Sequence, residues 1–300
     1  MNLDLLNRAR DRFIRYQEGT RRRNIPQPSF YAKMAERKRL ADRVRKLRDV
    51  PDGPIYHLET KLGQKKIADR AGVLSAGILQ GPFETLSEFD LDALPHKFVV
   101  KPFIRSGSNG VFLLEKDGSR LLNIANGESY AHDLTALHAA GLAKFEGCPL
   151  IVEELIELDD APSVNWKVFT FFGEVGFLRQ VNLNQDKHVY KMWSPQGDDL
   201  GKIDQHSFPY DATLPPPVDL EAMVDTAKKI SMHMMTPFAR IDLYESEQGV
   251  HLGEVTLRPG SLWKNKYLHV FTPEWDRKLG EMWEDAEARL IEKMGETFLP

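Results

Sequence analysis

The sequence has a single cysteine, Cys148, so no internal disulfide is available, and a disulfide-stapled scaffold is excluded. No run reaches the roughly 18 consecutive apolar residues of a membrane span. The opening MNLDLLNRARDRF lacks the continuous apolar stretch of a signal peptide. No internal repeat or low-complexity tract is present, and no G-x-x-x-x-G-K-[ST] loop. These absences predict a soluble cytoplasmic protein. What is present is ordinary globular chain: 300 residues, 42% hydrophobic and 28% charged, enough for one large enzyme domain or two to three subdomains around a cleft.

The net charge of −4 is unevenly spread. Residues 1–50 carry 15 Lys+Arg against 6 Asp+Glu, whereas residues 51–300 carry 25 against 38. Two basic helices are predicted there, over about 2–18 and about 29–48, the second with an apolar stripe of Tyr31, Met34, Leu40, Val44 and Leu47. Between them Arg21 to Pro28 reads as a linker. Such charge suits nucleic acid or acidic lipid. The plainer expectation is a solvated hairpin packed on the acidic remainder, and without a nucleic-acid motif no nucleic-acid partner is expected.

Further on, 60–72 reads as a helix closed by Gly72. Strands are predicted at Lys97–Lys101, Val111–Leu114, Leu150–Glu153, Lys167–Phe172, Val175–Val181, Phe238–Tyr244 and Val250–Val255. A helix capped by Asp219 stops before Pro237, and a last helix begins with Thr272 as cap and Pro273 at its first position. Hairpins interleaved with helices predict an α+β fold.

Three segments carry chemistry. Phe98-Val99-Val100-Lys101-Pro102 is a buried strand ending in a lysine, followed by Ser106-Gly107-Ser108-Asn109-Gly110, a flexible turn able to wrap phosphate oxygens or simply to close a hairpin. Leu150-Ile151-Val152-Glu153-Glu154-Leu155-Ile156 ends an apolar strand in two carboxylates. Ala239-Arg240-Ile241-Asp242-Leu243-Tyr244 and Leu252-Gly253-Glu254-Val255-Thr256 flank a short turn. If they pair antiparallel, Asp242 and Glu254 share a face, either as ligands of a divalent cation, as a pair of surface charges, or with Asp242 in a salt bridge to a basic neighbour.

In this order and spacing, over about residues 58–290, the segments resemble the ATP-grasp superfamily. The likeness is to the teichuronopeptide-biosynthesis type, with its Asn165-Trp166-Lys167-Val168-Phe169 strand and G-E-x-T-x-x-P-G ending, and more distantly to D-alanine–D-alanine ligase. The resemblance implies two α+β subdomains clamping ATP, behind an N-terminal helical extension. The boundaries expected are 1–55 for the extension, 56–95 for a reduced leading segment, 96–160 for the small subdomain and 161–300 for the C-terminal subdomain with the metal site. It implies ATP and Mg²⁺ as cofactors, with Lys61 and Lys101 on the phosphates, Ser106 to Gly110 closing over them, and Glu153, Glu154, Leu155 and Ile156 as the adenine hinge. Asn165 falls at the position of the ribose-binding acid, and Lys167 follows it on the same strand among the nucleotide-binding residues.

Asp242 and Glu254 match the Mg²⁺ ligands, with Thr256 where many members have asparagine. Arg240 matches the arginine facing the transferring group. A third basic residue lies among Lys187, Lys191 and Arg179; Lys191, Arg240 and Arg258 form the implied catalytic set, with Arg258, Leu257 and Ser261 to Lys264 toward the acceptor. His188 and His206, in the same polar stretch, read as surface residues. The activity implied is carboxylate–amine ligation through an acyl phosphate, its substrates a small-molecule or polysaccharide carboxylate and an amine, such as an amino acid joined to a uronic-acid-containing polysaccharide or a peptide. The rival readings are a kinase on the same fold and a nucleotide-binding scaffold with a basic arm.

Overall fold

Two six-stranded sheets and one two-stranded ribbon hold the strands of the computed structural model, which describes residues 26–46, 61–83, 88–103, 110–131, 148–182, 189–204, 209–259 and 271–294. The predicted helix at 2–18, residues 21–25 of the linker, and Val44 and Leu47 of the second helix's stripe lie outside the described residues or side chains. The smaller sheet has the order β2 (Ile78–Phe83), β7 (Leu150–Glu154), β3 (Lys97–Pro102), β4 (Phe112–Asp117), β5 (Arg120–Asn123), β6 (Ser129–Ala131), antiparallel throughout. The larger has the order β1 (Leu74–Ser75), β14 (Gly249–Thr256), β13 (Ala239–Ser246), β10 (Asn165–Phe171), β11 (Glu174–Asn182), β12 (Val189–Trp193). Only β1 runs parallel to its neighbour. A short ribbon of β8 (Glu157–Leu158) and β9 (Ala161–Pro162) lies between β7 and β10 in the chain. With helices α1 (Phe30–Lys46), α2 (Lys61–Ala71), α3 (Leu220–His233) and α4 (Pro273–Met294), this is the α+β architecture expected.

The period of two along β10 divides the larger sheet into its faces. Trp166 and Val168 point to one side, where they join Ile241, Leu243, Leu252 and Val255 beneath α2 and α3. Asp219 caps α3 as predicted, its carboxylate accepting the Ala222 amide at 2.9 Å. Lys167, Phe169 and Phe171 point to the other side, which changes character along its length. Its far half is aromatic, with Phe169, Phe171, Phe177 and Phe238 buried under α1 and α4. Its near half is polar and faces the smaller sheet.

Helix α1 supplies the aromatic half with its central ring. Phe30 is fully buried, with the Phe238, Trp283 and Phe271 rings 4.9, 5.6 and 5.7 Å away. Asp276 of α4 accepts from Ser29 Oγ at 2.6 Å and from the Tyr31 amide at 2.9 Å, satisfying a free N–H at the start of α1. Lys33 adds an ion pair to Glu287 at 2.7 Å.

The second basic helix does pack on the rest of the chain, as expected, but the expectation that its charges are solvated is corrected at Arg37, only 2% exposed. Its Nη1 donates to Phe238 O and Leu257 O at 3.0 and 3.2 Å, its Nη2 donates to Thr236 Oγ1 at 2.8 Å, and its guanidinium lies 4.5 Å from the Trp283 ring. A planar cation whose donors meet carbonyls and whose face meets an indole tolerates burial that would expel a lysine. The predicted stripe omitted both Phe30 and Arg37, the two residues that seat the helix.

Gly280 permits this docking, because a Cβ there would lie 2.7 Å from Ser29 Cα and nearer still to its amide nitrogen. Those atoms are backbone and have no rotamer to yield. Gly280→Ala is therefore expected to lower unfolding free energy by about 1–3 kcal/mol. A denaturant midpoint identical to the wild type would refute the close approach.

Candidate active site

On its polar half, the larger sheet sets charged residues side by side in one cross-strand row. Arg179 of β11 is opposite Lys167 of β10, Lys167 opposite Asp242 of β13, and Asp242 opposite Glu254 of β14. Neighbours in register project from the same face. Lys167 Nζ donates to Asp242 Oδ2 at 2.6 Å. Arg240, two residues before Asp242, donates through Nε to Oδ1 at 2.6 Å and through Nη2 to Oδ2 and to Thr256 Oγ1, both at 3.0 Å. Burial alone would raise the Asp242 carboxyl, but Arg240 and Lys167 outweigh it and hold it below the usual carboxylate range. Burial pushes the Lys167 ammonium down, against the attraction of Asp242.

A single irregularity brings Glu254 into that row. From the turn, Ser246 pairs with Gly249, Tyr244 with His251 and Leu243 with Leu252. Continued regularly, the ladder would set Gly253 opposite Asp242 and turn Glu254 to the hydrophobic side. The register instead shifts between Asp242 and Leu243, so one extra residue, Gly253, bulges out and Glu254 becomes the partner of Asp242. Glycine is required there, since a Cβ would collide with the Tyr244 ring. Tyr244 in turn accepts from Asn165 Nδ2 at 2.6 Å, and burial raises its phenol far above the usual range. Asn165 Oδ1 is buried and has no hydrogen-bond partner among the described residues.

The smaller sheet supplies the opposite wall. Lys101 of β3 forms an ion pair with Glu153 of β7. Burial lowers the Lys101 ammonium while Glu153 opposes the shift, and the charges of Lys61 and Glu254 both act on it. Lys61, at the first position of α2, lines a cleft with Glu153, Ser75, Ile78 and Gly253, so elements from both sheets meet there.

Lys61, Lys101, Glu153, Asn165, Lys167, Arg240, Asp242, Glu254 and Thr256 thus converge, though not all as free groups. Glu154 Oε2 accepts the Gly77 amide at 2.8 Å while its own amide donates to Gly77 O at 3.0 Å, and Ile156 O accepts from the Ser163 amide at 3.1 Å. In the hinge segment, the Glu154 side chain therefore ties down the β1–β2 connection, and Leu155 follows it in the loop before β8.

Lys191 falls elsewhere. It is opposite Gln180, on the sheet's other face, where its ammonium donates to Ala212 O and Leu214 O at 2.7 and 3.1 Å. Arg179 does share the face of Asp242, but its guanidinium is buried against Asp204. Arg258 follows β14 and is half-buried. Of the glycine-rich loop, only Gly110 is described, at a positive φ of 79° leading into β4. Ser106, Gly107, Ser108, Asn109, Lys187, His188, His206 and Ser261 to Lys264 lie outside the described residues.

The donor set suits a small hard cation. Among the described residues there is no cluster of three or more His, Cys, Asp or Glu that would cage a metal. Asp242 and Glu254 instead offer two oxygen donors on one face, the number with which Mg²⁺ binds when phosphates and water complete its octahedron. Thr256 Oγ1, engaged by Arg240, anchors that guanidinium in the structure as it stands. Sequence reasoning missed Tyr244 and Gly253. Tyr244 was visible as the residue two after Asp242 on the same strand, and Gly253 as a glycine inside a strand pattern.

Solved structures of similar fold include the ATP-grasp ligase PsnB complexed with a minimal precursor, at 10% identity and a TM-score of 0.43 over 78% of this chain. This chain spans 64% of the PsnB chain, less than two thirds of its length. D-alanine–D-alanine ligase from Bacillus anthracis complexed with ATP aligns at 14% identity and a TM-score of 0.48, covering 79% of this chain and 68% of its own. VanG D-Ala:D-Ser ligase from Enterococcus faecalis aligns at 15% and 0.44, covering 77% and 61%. No curated protein matches in sequence. The TupA-like ATP-grasp family matches residues 59–284, from just before α2 into α4 and across both sheets. It is to this family that the chain belongs.

Proposed function

We propose that the protein is an ATP- and Mg²⁺-dependent ligase that joins a carboxylate to an amine through an acyl phosphate. The observation that carries this reading is the distribution of charge around the cleft. Lys61 and Lys101 stand on one side and Lys167 and Arg240 on the other, with Asp242 and Glu254 on the floor between. A triphosphate entering there meets cations from both sides, and Mg²⁺, when bound through Asp242 and Glu254, supplies further charge neutralisation to the phosphates.

Arg240 is fixed before the substrate arrives. With Nε and Nη2 tied to Asp242 and Thr256, it loses little entropy on meeting the transferring phosphoryl group, and an oriented cation is what phosphoryl transfer needs most. Transfer of the γ-phosphoryl to the substrate carboxylate leaves ADP. Attack of the amine on the acyl phosphate forms the amide and releases phosphate with loss of a proton. Lys101 exchanges Glu153 for a phosphate oxygen as the nucleotide binds. By family, an amino acid with a uronic-acid-containing polysaccharide or a peptide is the substrate pair to try first.

Calorimetry of ATP with and without Mg²⁺ tests the site. Wild type is expected to bind in a metal-dependent manner, and Lys101→Ala and Glu254→Ala to weaken binding about tenfold or more. No binding at millimolar ATP would sink the reading. In a screen of acids and amines, ADP with free phosphate marks ligation, whereas a phosphorylated product without free phosphate marks a kinase.

A further inference from the structure

The two carboxylates of the floor are not equally available. Asp242 is 2% exposed and both its oxygens are engaged, whereas the Glu254 carboxylate beside it has no ion-pair or hydrogen-bond partner among the described residues. The two cations on Asp242 also differ. Arg240 is held by three hydrogen bonds to Asp242 and Thr256. Lys167 makes one, from a flexible stem, and is the more exposed side chain, at 25% against 15%. Of the two, Lys167 is the one that can leave.

We propose that Lys167 closes the Asp242–Glu254 pair to free divalent cations and opens it only to the metal–nucleotide complex. Two carboxylates with two cations already balance, so a divalent ion arriving alone must displace or crowd an ammonium at hydrogen-bonding distance from its ligand, with nothing to receive it. A nucleotide changes this balance. Its phosphates would give Lys167 a new anionic partner, so the ammonium could move from carboxylate to phosphate without passing unpaired and leave Asp242 available, with Glu254, to hold the metal. The site then discriminates against free metal, and Lys167 is a positioning residue for that discrimination. This inference rests on the nucleotide site proposed above but needs no ligation step.

The test is Mn²⁺ binding, followed by the electron paramagnetic resonance of the free ion, with and without a non-hydrolysable ATP analogue. Wild type is expected to take up little Mn²⁺ alone and much more with the analogue. Lys167→Met, which keeps the stem and removes the charge, is expected to bind Mn²⁺ alone about tenfold or more tightly than wild type and to bind the Mn²⁺–analogue complex more weakly. Lys167→Arg should restore the wild-type order of affinities. Equal affinity for free Mn²⁺ in wild type and a folded Lys167→Met overturns the inference while leaving the nucleotide site standing. Should Lys167→Met not fold, wild type alone decides: tight Mn²⁺ binding that the analogue leaves unchanged overturns it. If wild type takes up Mn²⁺ under neither condition, the nucleotide reading fails and this inference fails with it.

Discussion

Asp242→Asn is expected to lower kcat/KM by about 10²–10³-fold and unfolding free energy by about 3 kcal/mol. The substitution preserves shape and one oxygen, so its effect is electrostatic. It leaves Arg240 and Lys167 with no anion between them on a largely buried face, and uncompensated buried charge is what makes breaking such a group costly. The pH dependence has a definite sign. The folded carboxyl titrates below the unfolded value of about 3.9, so on acidification the unfolded chain takes up its proton first. The stability Asp242 contributes is complete above that unfolded value and disappears as pH falls through the folded one. Denaturant titrations across this acid range should show a shallower fall for Asp242→Asn than for wild type. Parallel curves would mean that the carboxylate is not held by its two cations.

Phe30→Ala is expected to cost about 3–5 kcal/mol. The ring has no exposed surface and lies among the rings of Phe169 and Phe171 of β10, Phe238 just before β13, Phe271 just before Thr272, and Trp283 of α4. Truncation leaves a cavity walled by rigid aromatic rings that collapse poorly into it, which places the loss toward the upper end of such substitutions. Removal of residues 1–46 should go further and leave a chain that does not fold cooperatively. A loss below about 1 kcal/mol for Phe30→Ala would make α1 an appendage and reinstate the solvated arm.

The elements governed by local rules were legible in the sequence. KFVVK, the strand around Asp242 and the helix after Asp219 follow from alternation, β-branched runs and a capping carboxylate, and each is present within a few residues of its predicted bounds. The α1 contacts were not. Phe30 follows two prolines, where turn signals dominate, and Arg37 sits in a basic run whose charge argued for solvent. Its burial is made reasonable by partners some 200 residues away or more: the carbonyls of Phe238 and Leu257, the Thr236 hydroxyl and the Trp283 ring.

The site divides in the same way. That Asp242 and Glu254 share a face was expected from a hairpin, yet a regular hairpin does not achieve it; the bulge at Gly253 does. Lys191 shows the converse failure. Its alternation along β12 was readable once the strand existed, but which face that alternation met depended on pairing with β11, and no local signal carries a register.

The seating of α1 also orders events in time. Phe30 leaves the ribosome long before Phe238, Phe271 and Trp283, three of the five rings around it, so the helix made early finds its place only when the last described helix is available. Contacts this distant along the chain close slowly. Throughout synthesis, the phenylalanines of β10 and β11 therefore lack their cover, and this half-built aromatic layer is the surface through which nascent chains of this protein would stick to one another.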